Sequence, residues 1–206
     1  MIATDKPRVL AAVKAVWGRL GITPHLARRG PVLLAPFMDS FNLFHLAIPG
    51  LTRGAVYDRL LAEGITPADV GDVDEELAGF LFVTPSVGLV FVNASDPVPR
   101  QRFTAAHELG HFVLHREEMG GQVSKADTPA DVELTDEQSD RHEREANRFA
   151  VELLMPADVC QARAEAFKTA YRACPRGPLA YHLAAEFLVS REAMRFRLQE
   201  LGVGDA

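Results

Sequence analysis

With 206 residues, 48% of them hydrophobic, the chain is long enough to bury a core without disulfide staples. A formal net charge of -6 excludes an electrostatic footprint for nucleic acid or an anionic membrane over the molecule as a whole. Two cysteines, Cys160 and Cys174, stand outside any paired spacing such as C-x-x-C and read as reduced thiols. The first 17 residues carry Asp5, Lys6, Arg8 and Lys14 and lack the apolar stretch of a signal peptide. The most apolar region, 31–50, is broken by Pro36, Asp39, Asn42, His45 and Pro49, so no run of about 20 apolar residues exists to cross a membrane. A cytoplasmic protein is expected.

In chain order, residues 7–20 predict an amphipathic helix with Val9, Val13, Val16, Trp17 and Leu20 at helical spacing and Gly21 as its stop. Thr23-Pro24 and Thr66-Pro67, each inside a Gly-Ile-Thr-Pro string, have the form of an N-cap with proline at the first helical position. Residues 31–50, with Phe37, Phe41 and Phe44, fit neither strand nor helix and default to core. Residues 79–93 form two β-branched and aromatic runs around Thr84-Pro85-Ser86, a hairpin buried on at least one face. An edge strand there could hold an extended peptide. Asn93 opens a loop in which Pro97 and Pro99 forbid a helix. Helical spacing runs over 102–115, and 117–136 is a polar surface loop containing Gly120-Gly121 and Pro129. Thr135 and Gln138 form a capping box for a helix that ends near Leu154, before Pro156. Residues 157–206 are helical, with breaks around 175–178 and at Val189-Ser190.

The chemistry concentrates in His107-Glu108-Leu109-Gly110-His111. Two histidines at i and i+4 share one helix face and can bite a single ion, while Glu108 is offset from that coordination and placed as a general base. A chance H-E-x-x-H is expected about 0.02 times in such a chain, so the string reads as a site. A hydrolytic zinc site takes three protein ligands. The 136–154 helix offers Glu137, Glu143, Glu145 and Glu152. Glu143 shares a side with Ala146 and Ala150, whose small side chains allow close approach to the histidine helix, and it is the predicted third ligand. Glu145 and Glu152 read as outer-face charges paired with Arg141 and Arg148, and His142 as a solvated residue and rival ligand. Asn147, one turn after Glu143, is a candidate acceptor for the second ring N–H of a ligating histidine. The ligand set favours zinc over manganese. For the oxyanion, Tyr171, Tyr181, His182, His142 and Arg102 are available by type, and the sequence does not choose among them.

Arg102-Phe103-Thr104-Ala105-Ala106-His107-Glu108-Leu109-Gly110-His111, and the later run from Glu143 to Leu153-Leu154-Met155-Pro156, resemble the signatures of the ImmA/IrrE family of metallopeptidases. The resemblance covers 79–156 well, and the tail resembles the family's helical C-terminal region. It implies an α+β fold: a small thermolysin-like core with a short sheet packed on the H-E-x-x-H helix and a Glu-bearing helix, flanked by mainly helical termini. It also implies a two-His, one-Glu zinc site, Glu108 as base, and an intracellular endopeptidase that cleaves a helix-turn-helix (Xre-type) repressor, switching on stress-response or mobile-element genes. Residues 22–78 depart from the family pattern and are expected to add helices and a partner surface, and 116–135 is long enough for a lid. The expected organisation is a metallopeptidase domain over 1–165 and a helix-turn-helix-like segment over 166–206, packed on the same unit. The runner-up reading is a DNA-binding or metal-sensing regulator with little peptidase activity. Residues 178–201 supply its two helices, with Ser190 as N-cap and Arg191, Arg195 and Arg197 as cations, although Met194, Leu198 and Leu201 give the second helix an ordinary packing face.

Overall fold

The computed structural model describes residues 6–24, 30–66, 72–84, 87–117, 123–127, 137–171 and 176–203. Its elements are α1 (Lys6–Arg19), α2 (Ala35–Ser40), β1 (Leu43–Ile48), α3 (Arg53–Ala62), β2 (Gly79–Val83), β3 (Gly88–Asn93), α4 (Val98–His115), β4 (Val123–Asp127), α5 (Glu137–Leu154), α6 (Ala157–Ala170), α7 (Arg176–Phe187) and α8 (Arg191–Glu200). The fold is α+β with helical termini, as expected.

The hairpin is β2 and β3, antiparallel from Gly79↔Val92 to Val83↔Gly88. Its strands bury both faces, and the period of two sorts them. Leu81, Val83, Val90 and Val92 join the main core with α4 and α5, while Phe80, Phe82, Leu89 and Phe91 pack with Val56 and Leu60 of α3 on the other side. The sheet is thus a middle layer between α3 and the α4–α5 pair.

Strand order is β1-β3-β2-β4. The hairpin therefore offers no free edge: β1 pairs with β3 in parallel, and β4 pairs with β2 antiparallel. Strand addition to the hairpin is excluded by these neighbours. Residues 31–50, left unplaced by the sequence, contain α2 and β1. β4 lies inside the segment read as loop and within the span proposed as a lid; 118–122 and 128–136, with Thr135 of the capping box, fall outside the described residues, as do 25–29 after Thr23-Pro24 and 67–71 from Pro67 onward.

Pro97 and Pro99 do not delay the helix. α4 begins at Val98, with Pro97 as N-cap and Pro99 in the first turn, where a missing N–H has no intrahelical partner to lose. α1 buries Val9, Val13, Val16 and Trp17 as read. Ser190 caps α8 through its side-chain oxygen, which accepts from Ala193 N at 3.0 Å. One continuous core runs from Val9 through Leu109 and Phe149 to Leu198 and Val203. Cys160 is buried in it, and desolvation pushes its thiol up to about 12, which makes it inert at neutral pH. Cys174 lies outside the described residues. Among the described residues no helix is long and apolar enough to cross a membrane.

Candidate metal centre

α4 and α5 cross closely because both are small where they meet. A Cβ on Gly110 would stand 3.1 Å from Phe149 Cδ1 and 3.2 Å from Ala146 Cα and O. The contact sits between the two histidines' turns of α4 and one turn beyond Glu143 on α5, so the glycine of the H-E-x-x-H string sets how near the carboxylate comes.

At that crossing His107 Nε2 and His111 Nε2 are 2.8 Å apart. Glu143 Oε2 lies 3.2 Å from His107 Nε2, and its Oε1 lies 3.3 Å from His111 Nε2. Asn147 Oδ1 is 3.0 Å from His107 Nδ1. An amide oxygen only accepts, so His107 donates from Nδ1 and its Nε2 presents a lone pair. Two imidazole nitrogens and a carboxylate thus converge on one point, with His107 Nε2 as an acceptor, the kind of donor set that holds a divalent cation. Ligands about 2.1 Å from a tetrahedral zinc stand about 3.4 Å from one another, close to the two carboxylate–histidine separations and wider than the 2.8 Å between the histidine nitrogens. Among the described residues this trio is the group that could hold an ion.

Glu108 is fully buried between the histidines' turns. Its place depends on β2. Gly79 faces α4, and a Cβ there would overlap the Thr104 methyl, lie 2.9 Å from Glu108 Oε1 and lie 3.3 Å from Phe91 O. In sequence Gly79 marks only the start of a strand. A glycine opening an otherwise bulky strand that precedes H-E-x-x-H was the available signal.

Two carboxylates differ from their sequence reading. Glu145 is not a solvated charge: it is 1% exposed, 3.0 Å from Arg8 Nη1 and 3.6 Å from His115 Nε2. Glu152 does pair with Arg148, but it is 6% exposed and also binds Arg197 at 2.5 Å. His142, read as solvated, is buried and stacks on His115 with ring centroids 3.9 Å apart. The reason is tertiary. α1 and α8 bring Arg8 and Arg197 to faces of α5 that a lone helix would expose.

The centre opens into a cleft of about 590 Å³. His107, Glu143 and Asn147 share its lining with Phe103 and Thr104 of α4 and with Val189, Ala193 and Phe196 around α8. None of the five residues considered for the oxyanion is among these lining residues. Tyr171 and Tyr181 are exposed, the His182 ring lies against Phe167, and Arg102 donates to Val32 O and Leu188 O. Arg102 is partly desolvated, which lowers its pKa from the ordinary guanidinium value. Arg197, one of three cations considered for nucleic acid, is buried against Glu152 and unavailable to a phosphate backbone.

Helices that present an H-E-x-x-H pair and a partner carboxylate in this way are those of metallopeptidases. The chain belongs to one such family, peptidase M78, whose IrrE N-terminal-like domain matches residues 68–199. A relative from Bacillus phage phi105, an uncharacterized immunity region protein 2, is 34% identical over 85 residues. That match covers 41% of this chain and 49% of the phage protein, about half of its length.

Proposed function

We propose that the protein is a zinc-dependent endopeptidase in which His107, His111 and Glu143 hold the ion and Glu108 is the catalytic base. The observation that carries this reading is the convergence of two histidine nitrogens and a carboxylate at 2.8–3.3 Å beside a buried glutamate, at the wall of an open cleft. Zinc held by His107, His111 and Glu143 would supply a Lewis acid for a peptide carbonyl and lower the pKa of water to about 7. Asn147 holds the His107 tautomer that leaves Nε2 free of a proton and able to ligate. Glu108 takes the proton of the attacking water on a carboxylate oxygen and passes it to the leaving amide nitrogen. Gly79, having no Cβ, leaves the room that this carboxylate occupies.

The proposed substrate is a helix-turn-helix repressor in the cytoplasm. Its support is the family resemblance, together with a relative whose name places it in a phage immunity region. Glu108→Gln tests the chemistry: the variant is expected to retain metal and lose cleavage by at least about a hundredfold. Cleavage at the wild-type rate would remove Glu108 from the mechanism.

A further inference from the structure

Phe196 does not serve the core. α8 packs through Met194 and Leu198, both fully buried, whereas Phe196 is 55% exposed. A large apolar side chain standing outside the core yet inside a cleft is a recognition feature more often than a packing one. The same cleft contains His107 and Glu143, so Phe196 is continuous with the metal centre. Phe103 and Val189 line it as well.

The position of Phe196 is tied to the metal ligands. Its neighbour Arg197 is 2% exposed and donates to Met155 O at 3.0 Å and to Glu152 at 2.5 and 3.2 Å. Glu152 is on α5, the helix that carries Glu143. The Ser190 cap fixes the start of α8. The wall carrying Phe196 is therefore held at a set distance from the ion site, as a specificity pocket requires.

We propose that Phe196, with Phe103 and Val189, forms a subsite for an apolar side chain of the peptide beside the bond that is cut. This makes the C-terminal helix part of the substrate-binding surface. The inference rests on the peptidase reading above and names a feature of its substrate: an aromatic or branched aliphatic residue near the scissile bond.

Two hydroxamates with the same chelating group separate the subsite from the ion. Acetohydroxamate engages the metal alone, and 3-phenylpropanohydroxamate adds an aromatic ring. Calorimetry on zinc-loaded protein is expected to give the phenyl compound at least about a tenfold advantage in wild type. Phe196→Ala should erase most of that advantage and leave acetohydroxamate binding unchanged, while Phe196→Leu should retain it. An undiminished advantage in Phe196→Ala overturns the proposal. Acetohydroxamate binding with no gain from the ring in wild type also overturns the subsite and leaves the metal centre standing. Failure of both compounds to bind zinc-loaded wild type would sink the metal-centre reading and this inference with it.

Discussion

Gly79→Ala probes the coupling between the sheet and Glu108, the proposed base. The new methyl would overlap the Thr104 methyl and approach Glu108 Oε1 to 2.9 Å and Phe91 O to 3.3 Å. β2 cannot retreat, because β3 and β4 hydrogen-bond it on both sides. The easier relief is movement of the two side chains, so Glu108 should shift. Overpacking costs about 1–3 kcal/mol. Replacing glycine within a strand returns about 0.5–1 kcal/mol, so the net loss of stability should be about 2.5 kcal/mol or less. Catalysis should suffer more: a base displaced by about 1 Å costs on the order of a hundredfold in rate. The methyl meets Thr104, Glu108 and Phe91 and none of the three proposed ligands, so zinc content should be unchanged. The assay pairs metal analysis with mass spectrometry of new termini in a library of unstructured peptides. A Gly79→Ala protein that cleaves at the wild-type rate would refute the claim that this glycine makes room for the base.

Gly110→Ala should push α4 and α5 apart by a few tenths of an ångström, since its Cβ meets Phe149 and Ala146 at 3.1–3.2 Å; zinc affinity by chelator competition should fall about tenfold or more, at nearly unchanged helicity. Arg197→Ala leaves Glu152 buried with Arg148 as its remaining ionic partner, so about 3 kcal/mol should be lost, seen as a melting temperature lower by about 6–12 °C. A variant as stable as wild type would show that the buried pair contributes no net stability. Glu200 also belongs to this network. Partial burial would raise its pKa, but hydrogen bonds and charge from Arg148 and Arg197 outweigh that and hold it below 4.5. A carboxylate more acidic when folded contributes stability above the unfolded pKa and loses it as pH falls through the folded one. The melting-temperature gap between wild type and Glu200→Gln should therefore be full at neutral pH and shrink below about pH 4; a gap independent of pH would contradict the assignment.

Local signals carried the chemistry. The i, i+4 histidines and the intervening glutamate are written in five consecutive residues, and the facing of Glu143 follows from its spacing to Ala146 and Ala150, both fully buried at the helix crossing. The hairpin was legible because both strands are dense in aromatic and β-branched side chains around a turn. β1 was not: it is six residues long with a mixed burial pattern, and its partner β3 lies about forty residues away. The roles of Glu145 and Glu152 depend on Arg8 and Arg197, which are distant in sequence, so helical spacing assigned them to solvent. Phe196 was hidden for the opposite reason. A helix wheel shows that it leaves the Met194–Leu198 face but not that the face it joins looks onto His107.

In the proposed site His107, His111 and Glu143 hold one ion and Glu108 does not. Metal stoichiometry of purified protein, measured by mass spectrometry after zinc loading and desalting, tests it directly. The expected result is one zinc per chain in wild type and in Glu108→Gln, and loss of most of it in Glu143→Ala. Full zinc in Glu143→Ala, or none in wild type, would contradict the account.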